Sequence, residues 1–435
     1  MKYYLETLGC DKNTVDSEII ISRLKSKYSL TRSPQKANII IINTCAFIDE
    51  AKQESIDTIL HFVGMEGKKV IVVGCLGQRY GAEIMKEIPE VSAVVGVYSF
   101  RKIEKVIEKV LQSEKVVMLD NPVFPTDITY SGRELLSPSH YAYVKISDGC
   151  NRMCSFCIIP KLKGKLRSRA IDAIILETEE LVKRGVKEII LVAQDITSYG
   201  IDNYGKRMLC QLIKKLIRIE GLKWLRLLYN YPDGITNKLL DLIANEPKVC
   251  RYLDVPIQHI SDHILHRMKR EINGRKIREM IMKIRENYPD IFLRTTVMVG
   301  FPGESEKDFV DLQSFVKEAR FERLGVFTYS REYGTASYNF PGQIPERVKL
   351  KRKRQIMELQ EGISLENNKQ FIGKTISVII DETMGGRYKY DGRTQYDTPE
   401  VDNGVLIKKG NASVGKIVPV KITDATCYDL IGEIE

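Results

Sequence analysis

Nine cysteines carry the sharpest chemistry in this sequence, at positions 10, 45 and 75, then 150, 154 and 157, then 210, 250 and 427. The middle set, in Asp148-Gly-Cys-Asn-Arg-Met-Cys-Ser-Phe-Cys157, has C-x3-C-x2-C spacing directly after an apolar run. A structural zinc site wants four ligands, usually paired as C-x2-C knuckles, and no fourth cysteine stands nearby before Cys210. Iron–sulfur clusters take thiolates at such close spacing. Three thiolates on a four-iron cluster leave one iron open to another ligand. The bland alternative, three buried thiols along one helix face, fits Gly149, Asn151 and Ser155 less well than a loop wrapped on a cluster does.

The elements that must position these thiols are legible in outline. Residues 1–112 alternate apolar runs (Tyr3–Leu8, Ile39–Ile42, Val70–Val73, Val91–Val97) with helical stretches (Thr14–Lys27, Glu50–Val63, Tyr80–Glu87, Phe100–Gln112). That rhythm predicts a doubly wound parallel α/β sheet. Cys10, Cys45 and Cys75 each follow one of the first three strands. The carboxyl ends of parallel strands share one edge, where ligands bind, so these three converge. Residues 113–140 hold Pro122, Pro125 and Pro138 and read as a linker.

From Tyr141 the rhythm resumes with strand candidates Tyr141–Ile146, Glu188–Ala193, Trp224–Tyr229, Tyr252–Ile257, Ile291–Val299 and Arg323–Tyr329. Six βα units make a partial (βα)6 version of the eight-unit barrel, expected over 141–368 with a charged helix near Arg347–Gln370 leading out. Residues 369–435 lose the helical pattern. Short strands at Ile376–Ile380, Val405–Ile407 and Ile417–Ile422, separated by Gly385-Gly386, Asp391-Gly392 and Asn403-Gly404, predict a small all-β barrel.

Composition narrows the setting. Apolar residues make up 43% and charged residues 29%, which suits a globular protein. No apolar run approaches the ~18 residues of a membrane span, and the start, MKYYLETLGC, builds no export signal. A cytoplasmic protein is expected, where nine cysteines serve metals or catalysis better than disulfides. Net charge is +10, which suits a polyanionic partner. The segment from Lys374 is nevertheless net −2, against +12 for the rest. Such a barrel is not an obvious RNA binder, since RNA binding rests on phosphate neutralisation.

On these motifs the sequence resembles the radical S-adenosylmethionine (SAM) enzymes. The resemblance narrows with Asn43-Thr-Cys45, Gly74-Cys-Leu76, Cys157-Ile-Ile-Pro160, Arg167-Ser-Arg169 and Val299-Gly-Phe-Pro-Gly-Glu304. An N-terminal three-cysteine domain, a radical SAM barrel and a C-terminal TRAM barrel together are similar to the methylthiotransferases, over essentially the whole chain. The resemblance implies two 4Fe–4S clusters. Cys150, Cys154 and Cys157 would hold the one whose open iron chelates SAM; Cys10, Cys45 and Cys75 would hold the auxiliary one. It implies two SAM molecules per product, one giving a methyl group to a sulfur at the auxiliary cluster, the other the 5′-deoxyadenosyl radical that takes hydrogen from the substrate carbon. An electron donor such as flavodoxin or ferredoxin is implied as partner.

Two branches of that family differ in substrate. One thiomethylates an adenosine of tRNA; the other, the β-carbon of an aspartate in small-subunit ribosomal protein S twelve, free or on the ribosome. Gly9-Cys-Asp-Lys-Asn-Thr-Val-Asp-Ser-Glu18, Ala46-Phe-Ile-Asp-Glu-Ala-Lys52, Ala193-Gln-Asp-Ile-Thr-Ser-Tyr-Gly200 and Gly392-Arg-Thr-Gln-Tyr-Asp-Thr-Pro-Glu-Val-Asp402 resemble the second. Asp11 stands where that branch has Pro, and Lys163-Gly164 where Arg-Gly is usual. The tRNA branch is the alternative. The acidic barrel, with Asp391, Asp397, Glu400 and Asp402, is expected to draw in the basic ribosomal protein, and the remaining positive charge leaves room for ribosomal RNA contact.

Other candidates weigh less. Gln194 and Asp195 are placed to meet SAM or substrate, or to cap a loop. Val299, Gly300 and Glu304 resemble the superfamily's motif around the adenine, against an ordinary strand-and-turn ending. Gln258-His259 faces the cavity or caps a turn. His263 and His266 are expected in solvent, Arg347, Lys349 and Lys351–Arg354 on a solvated helix face or against ribosomal RNA. Cys210, Cys250 and Cys427 are expected to be inert thiols.

Overall fold

The computed structural model describes residues 1–126, 130 and 132–435. Strands β1 (Lys2–Thr7), β2 (Ser29–Leu30), β3 (Ile39–Thr44), β4 (Lys69–Gly74), β5 (Val91–Val95) and β6 (Val116–Met118) are joined through helices α1 (Asp11–Leu24), α2 (Asp49–Val63), α3 (Cys75–Glu87) and α4 (Ile103–Leu111). They form one six-stranded parallel sheet in the order β2-β1-β3-β4-β5-β6. β3 is buried at every residue and β4 at all but its first, as the near-continuous runs of Ile and Val in a parallel sheet require. The chain leaves β1 for the edge strand β2 and returns on the other side to β3. The strand order therefore reverses between β1 and β3, and a crevice opens at their carboxyl ends. Cys10 and Cys45 follow these two strands.

The stretch expected to be a linker, 113–140, begins as sheet: β6 pairs with Ala93–Val95 of β5. Residues 127–129 and 131 of that stretch lie outside the described residues.

The central region runs β7 (Tyr141–Lys145), β8 (Ser147–Asp148), α5 (Ile159–Lys163), β9 (Arg167–Ser168), α6 (Ile171–Lys183), β10 (Glu188–Val192), α7 (Ile201–Tyr204), α8 (Leu209–Leu216), β11 (Trp224–Leu227) and α9 (Asn237–Asn245). It continues with β12 (Tyr252–Asp254), α10 (Asp262–Arg267), α11 (Gly274–Asn287), β13 (Phe292–Val299), α12 (Glu306–Ala319), β14 (Arg323–Thr328) and α13 (Glu346–Lys369). Its six long-range parallel strands stand in chain order, β7-β10-β11 and β12-β13-β14, joined at the seam by a bridge from Leu225 to Val249. This is the open six-unit barrel. Asn273 caps α11 by accepting from the Lys276 N–H, and Ser305 with Asp308 forms a capping box on α12. The long charged helix α13 buries Ile356 and Ile363 in the barrel's outer core.

The last five strands, β15 (Thr375–Thr383), β16 (Tyr390–Thr394), β17 (Val405–Lys409), β18 (Ile417–Ala425) and β19 (Leu430–Ile434), close into a barrel in the order β15-β16-β17-β19-β18. Asp391-Gly392, read from sequence as a separating turn, lies inside β16, whose Tyr-Asp-Gly-Arg-Thr shows no apolar alternation; β19 was not anticipated either.

The small barrel plugs the open bottom of the large one. Each barrel strand offers a side chain near its amino end to residues 393–402. Tyr141 donates to Glu400 (3.1 Å), and Glu188 accepts from Arg393 (2.9 Å). Arg226 donates to the carbonyls of Gln395 (2.8 Å) and Thr394 (3.3 Å). Tyr252 (2.6 Å) and Arg294 (3.1 Å) donate to Asp402, and Arg323 to Asp397 (2.6 Å). The expectation that Asp397 and Asp402 attract a basic protein is corrected here, while Glu400 stays exposed. Asp397 is 2% exposed and ion-paired, Asp402 is ion-paired, and Glu400 is hydrogen-bonded within this seam. Asp391 is half-buried, and burial raises its carboxyl to about 6.

Candidate functional site: two cysteine triads at one interface

The N-terminal triad is assembled by backbone that lets three loops touch. Gly9 has φ 89°, and a Cβ there would sit 2.7 Å from the Cys45 Cβ and 3.1 Å from its Sγ. Gly74 has φ 97°, and a Cβ there would sit 2.5 Å from the Asn43 side-chain oxygen. Only glycine permits both the left-handed turn and the approach. Side chains then tie the loops. Asn13 donates to the carbonyls of Leu8 (2.9 Å) and Thr44 (3.1 Å), Asn43 to that of Asn13 (2.9 Å), and Thr44 to that of Val73 (2.6 Å). Cys75 opens α3, and Cys45 and Cys75 are buried. Burial pushes their thiols up to about 11 and 12, and each is raised further by the neighbouring thiols of the triad.

The second triad sits in the loop between β8 and α5. The Cys150 N–H donates to the Gly164 carbonyl (3.1 Å), the Leu166 N–H to the Asn151 side chain (3.0 Å), and the Ser155 N–H to the Met268 carbonyl (3.0 Å). Cys150, Cys154 and Cys157 are half-buried free thiols in an irregular loop, which excludes the helix-face alternative. Burial raises Cys150 to about 11 and Cys157 to about 12. The Arg152 N–H donates to Cys150 Sγ (3.3 Å), and Arg270 to Cys154 Sγ (3.9 Å). Such donors stabilise charge on sulfur and fit a thiolate-bound cluster. Among the described residues no three His, Cys, Asp or Glu side chains draw together as the ligands of a single ion would. A cleft of about 200 Å3 adjoins Cys150, lined by Asn151, Arg152, Asp195 and Ser198 among others.

Arg152 holds that loop in place. Its guanidinium pairs with Asp195 (3.3 Å), Asp233 (2.6 Å) and Glu271, and lies 3.9 Å from the centre of the Tyr231 ring. Asp195 also accepts from the Thr197 N–H (2.9 Å) and the Ser198 hydroxyl (2.6 Å), so it caps its own turn. Gln194 donates to Asp148 (2.6 Å), while its buried Oε1 has no hydrogen-bond partner among the described residues.

The strand-five motif is braced from within and by α13. Glu304 is 2% exposed; one oxygen accepts from the Gly300 and Phe301 N–H groups, the other pairs with Arg352 (3.0 Å). A Cβ on Gly300 would meet Lys349 at 2.3 Å, and Val299 is fully buried. The side chains of Val299 and Glu304, with the close approach of Lys349 that Gly300 permits, therefore brace the turn against α13. The same contacts correct Lys349 and Arg352, which are buried rather than solvated. His259 is buried and caps a turn, its Nδ1 accepting from the Ser261 N–H (3.0 Å). His263 and His266 are exposed. Cys210 lies on α8, Cys250 before β12 and Cys427 between β18 and β19, apart from both triads.

The two triads share one interface. The Lys12 ammonium lies 3.5 Å from the centre of the Tyr229 ring, whose hydroxyl donates to Asp11 (3.1 Å). Glu332, 1% exposed, accepts from Arg79 (2.7 Å) on α3 and Lys52 (2.8 Å) on α2. Asp16 on α1 pairs with Lys145 (2.6 Å) and Lys163 (3.4 Å), which also flank Asp148. The carboxyl edge of the N-terminal sheet thus faces the barrel mouth. Of these bridging residues, Asp11, Lys12, Asp16, Lys52, Asp148 and Lys163 stand inside the recognised motifs, though their pairings across the interface were not legible; Arg79, Lys145, Tyr229 and Glu332 were invisible to sequence reasoning.

Comparison with known proteins agrees with this layout. Residues 2–96 match the Uncharacterized protein family UPF0004, 144–316 the Radical SAM superfamily and 372–434 the TRAM domain. The fold is shared with the radical S-adenosylmethionine methyltransferase TsrM from Kitasatospora setae, in a structure with tryptophan substrate and a SAM analog: TM-score 0.56 and 11% identity, over 88% of this chain and 79% of that one. A second structure of that enzyme, with cobalamin and a [4Fe-4S] cluster, gives 0.55 and 11% over 86% and 76%. In sequence, the ribosomal protein uS12 methylthiotransferase RimO of Thermoanaerobacter sp. (strain X514) is 48% identical over 98% of both chains. Its counterpart from Geobacter sulfurreducens is 47% identical over 100% of this chain and 98% of that one. With two free-cysteine triads brought to one interface and identity at this level along the whole length, the chain belongs to the RimO family of radical SAM methylthiotransferases.

Proposed function

We propose that this chain attaches a methylthio group to the β-carbon of an aspartate in ribosomal protein uS12. The reading is carried by the opposition of the two triads across one buried interface. Cys10, Cys45 and Cys75 would hold one 4Fe–4S cluster, and Cys150, Cys154 and Cys157 the other, which binds SAM. When bound, the clusters and SAM supply the electron, the 5′-deoxyadenosyl radical, the sulfur and its methyl group. The protein contributes placement. The Arg152 N–H and Arg270 donate to the barrel sulfurs. Gln194, oriented by Asp148, keeps a buried carbonyl oxygen that would be free to accept from the amino group of SAM. Glu304 and Arg352 hold the turn that follows the fifth barrel strand.

The division of labour follows the segments 1–112, 141–368 and 369–435, with 113–140 joining the first two. An acidic small electron carrier is the expected reductant, and the substrate places the activity in the cytoplasm. Among the described residues no helix is long and apolar enough to cross a membrane. The test is incubation of anaerobically reconstituted protein with SAM, dithionite and either uS12 or tRNA. Methylthiolated uS12 with unmodified tRNA supports the reading; the reverse assigns the chain to the tRNA reaction.

A further inference from the structure

Between the two triads lies a group of four charges that the reaction as described does not use. Asp16 and Lys163 are 4% and 3% exposed, and Lys145 and Asp148 not at all. The contacts are Lys145–Asp16 at 2.6 Å, Lys145–Asp148 at 3.2 Å, Lys163–Asp16 at 3.4 Å and Lys163–Asp148 at 3.6 Å. The members sit on the segments that carry the cysteines: Asp16 on the helix that follows Cys10, Asp148 two residues before Cys150, Lys163 at the end of the helix that follows Cys157. Tyr98, from the N-terminal region, donates to the Lys163 carbonyl (3.1 Å), and the ammonium lies 5.2 Å from the centre of its ring.

Replacing a buried ion group by apolar residues of similar volume is often neutral or stabilising, so stability alone gives no reason for four buried charges. Geometry does. A hydrogen-bonded quartet fixes the angle and separation of the segments that meet in it, and apolar packing tolerates sliding. Lys163 has a second property. Its ammonium, paired with Asp16, is held against the helix whose N-cap is Cys10. In a dry interface a unit charge acts far more strongly than in water.

We propose that Lys163 is a positioning residue for both triads: locked between Asp16 and Asp148, it fixes the N-terminal triad over the barrel mouth and keeps a buried cation at the helix that starts from Cys10. The inference rests on the two-cluster reading above. An anionic cluster on that triad accepts an electron more readily beside the ammonium than without it. Lys163→Met removes the charge and keeps the length of the side chain. Lys163→Arg keeps the charge.

The experiment uses the full chain with Cys150, Cys154 and Cys157 changed to Ala, so that any cluster present is the N-terminal one, and measures its reduction potential by spectroscopically monitored titration. Lys163→Met is expected to shift the potential to a more negative value, and Lys163→Arg to leave it near that of the parent. Should the single variant not fold, Asp16→Asn with Lys163→Met restores charge balance and, because the lost carboxylate offsets part of the lost ammonium, is expected to show a smaller negative shift. In the chain with all six cysteines, the ratio of 5′-deoxyadenosine released to methylthiolated product is expected to rise on the order of tenfold in Lys163→Met, the scale of a small misplacement of reacting groups, and to be rescued by Arg. A potential unmoved by both Met variants, or an Arg variant as shifted as Met, overturns the proposal. A cysteine-deleted parent that binds no iron overturns the two-cluster reading along with it.

Discussion

At the scale of single residues the account stands on six cysteines. Changing Cys150, Cys154 and Cys157 to Ala is expected to leave roughly half the iron of the wild type and to abolish release of 5′-deoxyadenosine. Changing Cys10, Cys45 and Cys75 is expected to preserve that release and abolish the methylthiolated product. Iron analysis and chromatography of the two reactions check both. These residues were legible in sequence because their chemistry lies in residue type and spacing. The roles of Arg152, Glu332 and Asp16 were not, because an ordinary charged residue gains its role only from a partner 43 to 280 residues away. His259 gives a test of pH. Burial holds its imidazole down to about 3, against 6.5 for the ordinary side chain. The unfolded chain therefore takes up a proton below about pH 6.5 that the folded chain refuses. The stabilising effect is whole above that pH and is lost as the pH falls towards 3, by about 1.4 kcal/mol per pH unit. His259→Asn keeps an acceptor for the Ser261 N–H and is expected to flatten that part of the acid dependence, read as the thermal midpoint between pH 7 and pH 5.

At the scale of elements, strands and helices with strong periodicity were legible, and the joins between them were not. β3 and β4 announce themselves as unbroken apolar runs. β16 does not, because Tyr390–Thr394 spends its side chains on the barrel plug and carries a glycine where a turn is expected. The plug also explains why acidity misled: Asp397 and Asp402 count towards net charge but are neutralised by Arg323 and Arg294. Removing one partner of the buried pair, as in Arg323→Ala, leaves Asp397 uncompensated and is expected to cost about 3–5 kcal/mol. The smaller barrel should then become sensitive to proteolysis while residues 1–112 stay protected. Arg323→Met with Asp397→Leu is expected to recover most of that loss. A Cβ on Gly300 displaces Lys349 from the turn that Glu304 braces, so Gly300→Ala is expected to lower the thermal midpoint and loosen α13, seen as faster amide exchange along that helix.

At the scale of the whole molecule, two architectures meet edge to mouth. The crevice of a doubly wound sheet and the carboxyl end of a partial barrel are each the ligand side of their own fold. Here the two ligand sides face each other, and the third unit closes the opposite end of the large barrel. The arrangement brings the two cysteine triads to one interface, which a carrier protein has no use for. The most direct measurement of the central claim is intact-protein and peptide mass spectrometry of uS12 from a strain lacking the endogenous enzyme and expressing this chain. The account predicts one methylthio group in place of one hydrogen on a single aspartate. The group should be present with the wild-type chain and absent with either cysteine triad changed to Ala. Unmodified uS12 in the presence of folded, iron-loaded wild-type protein would contradict it.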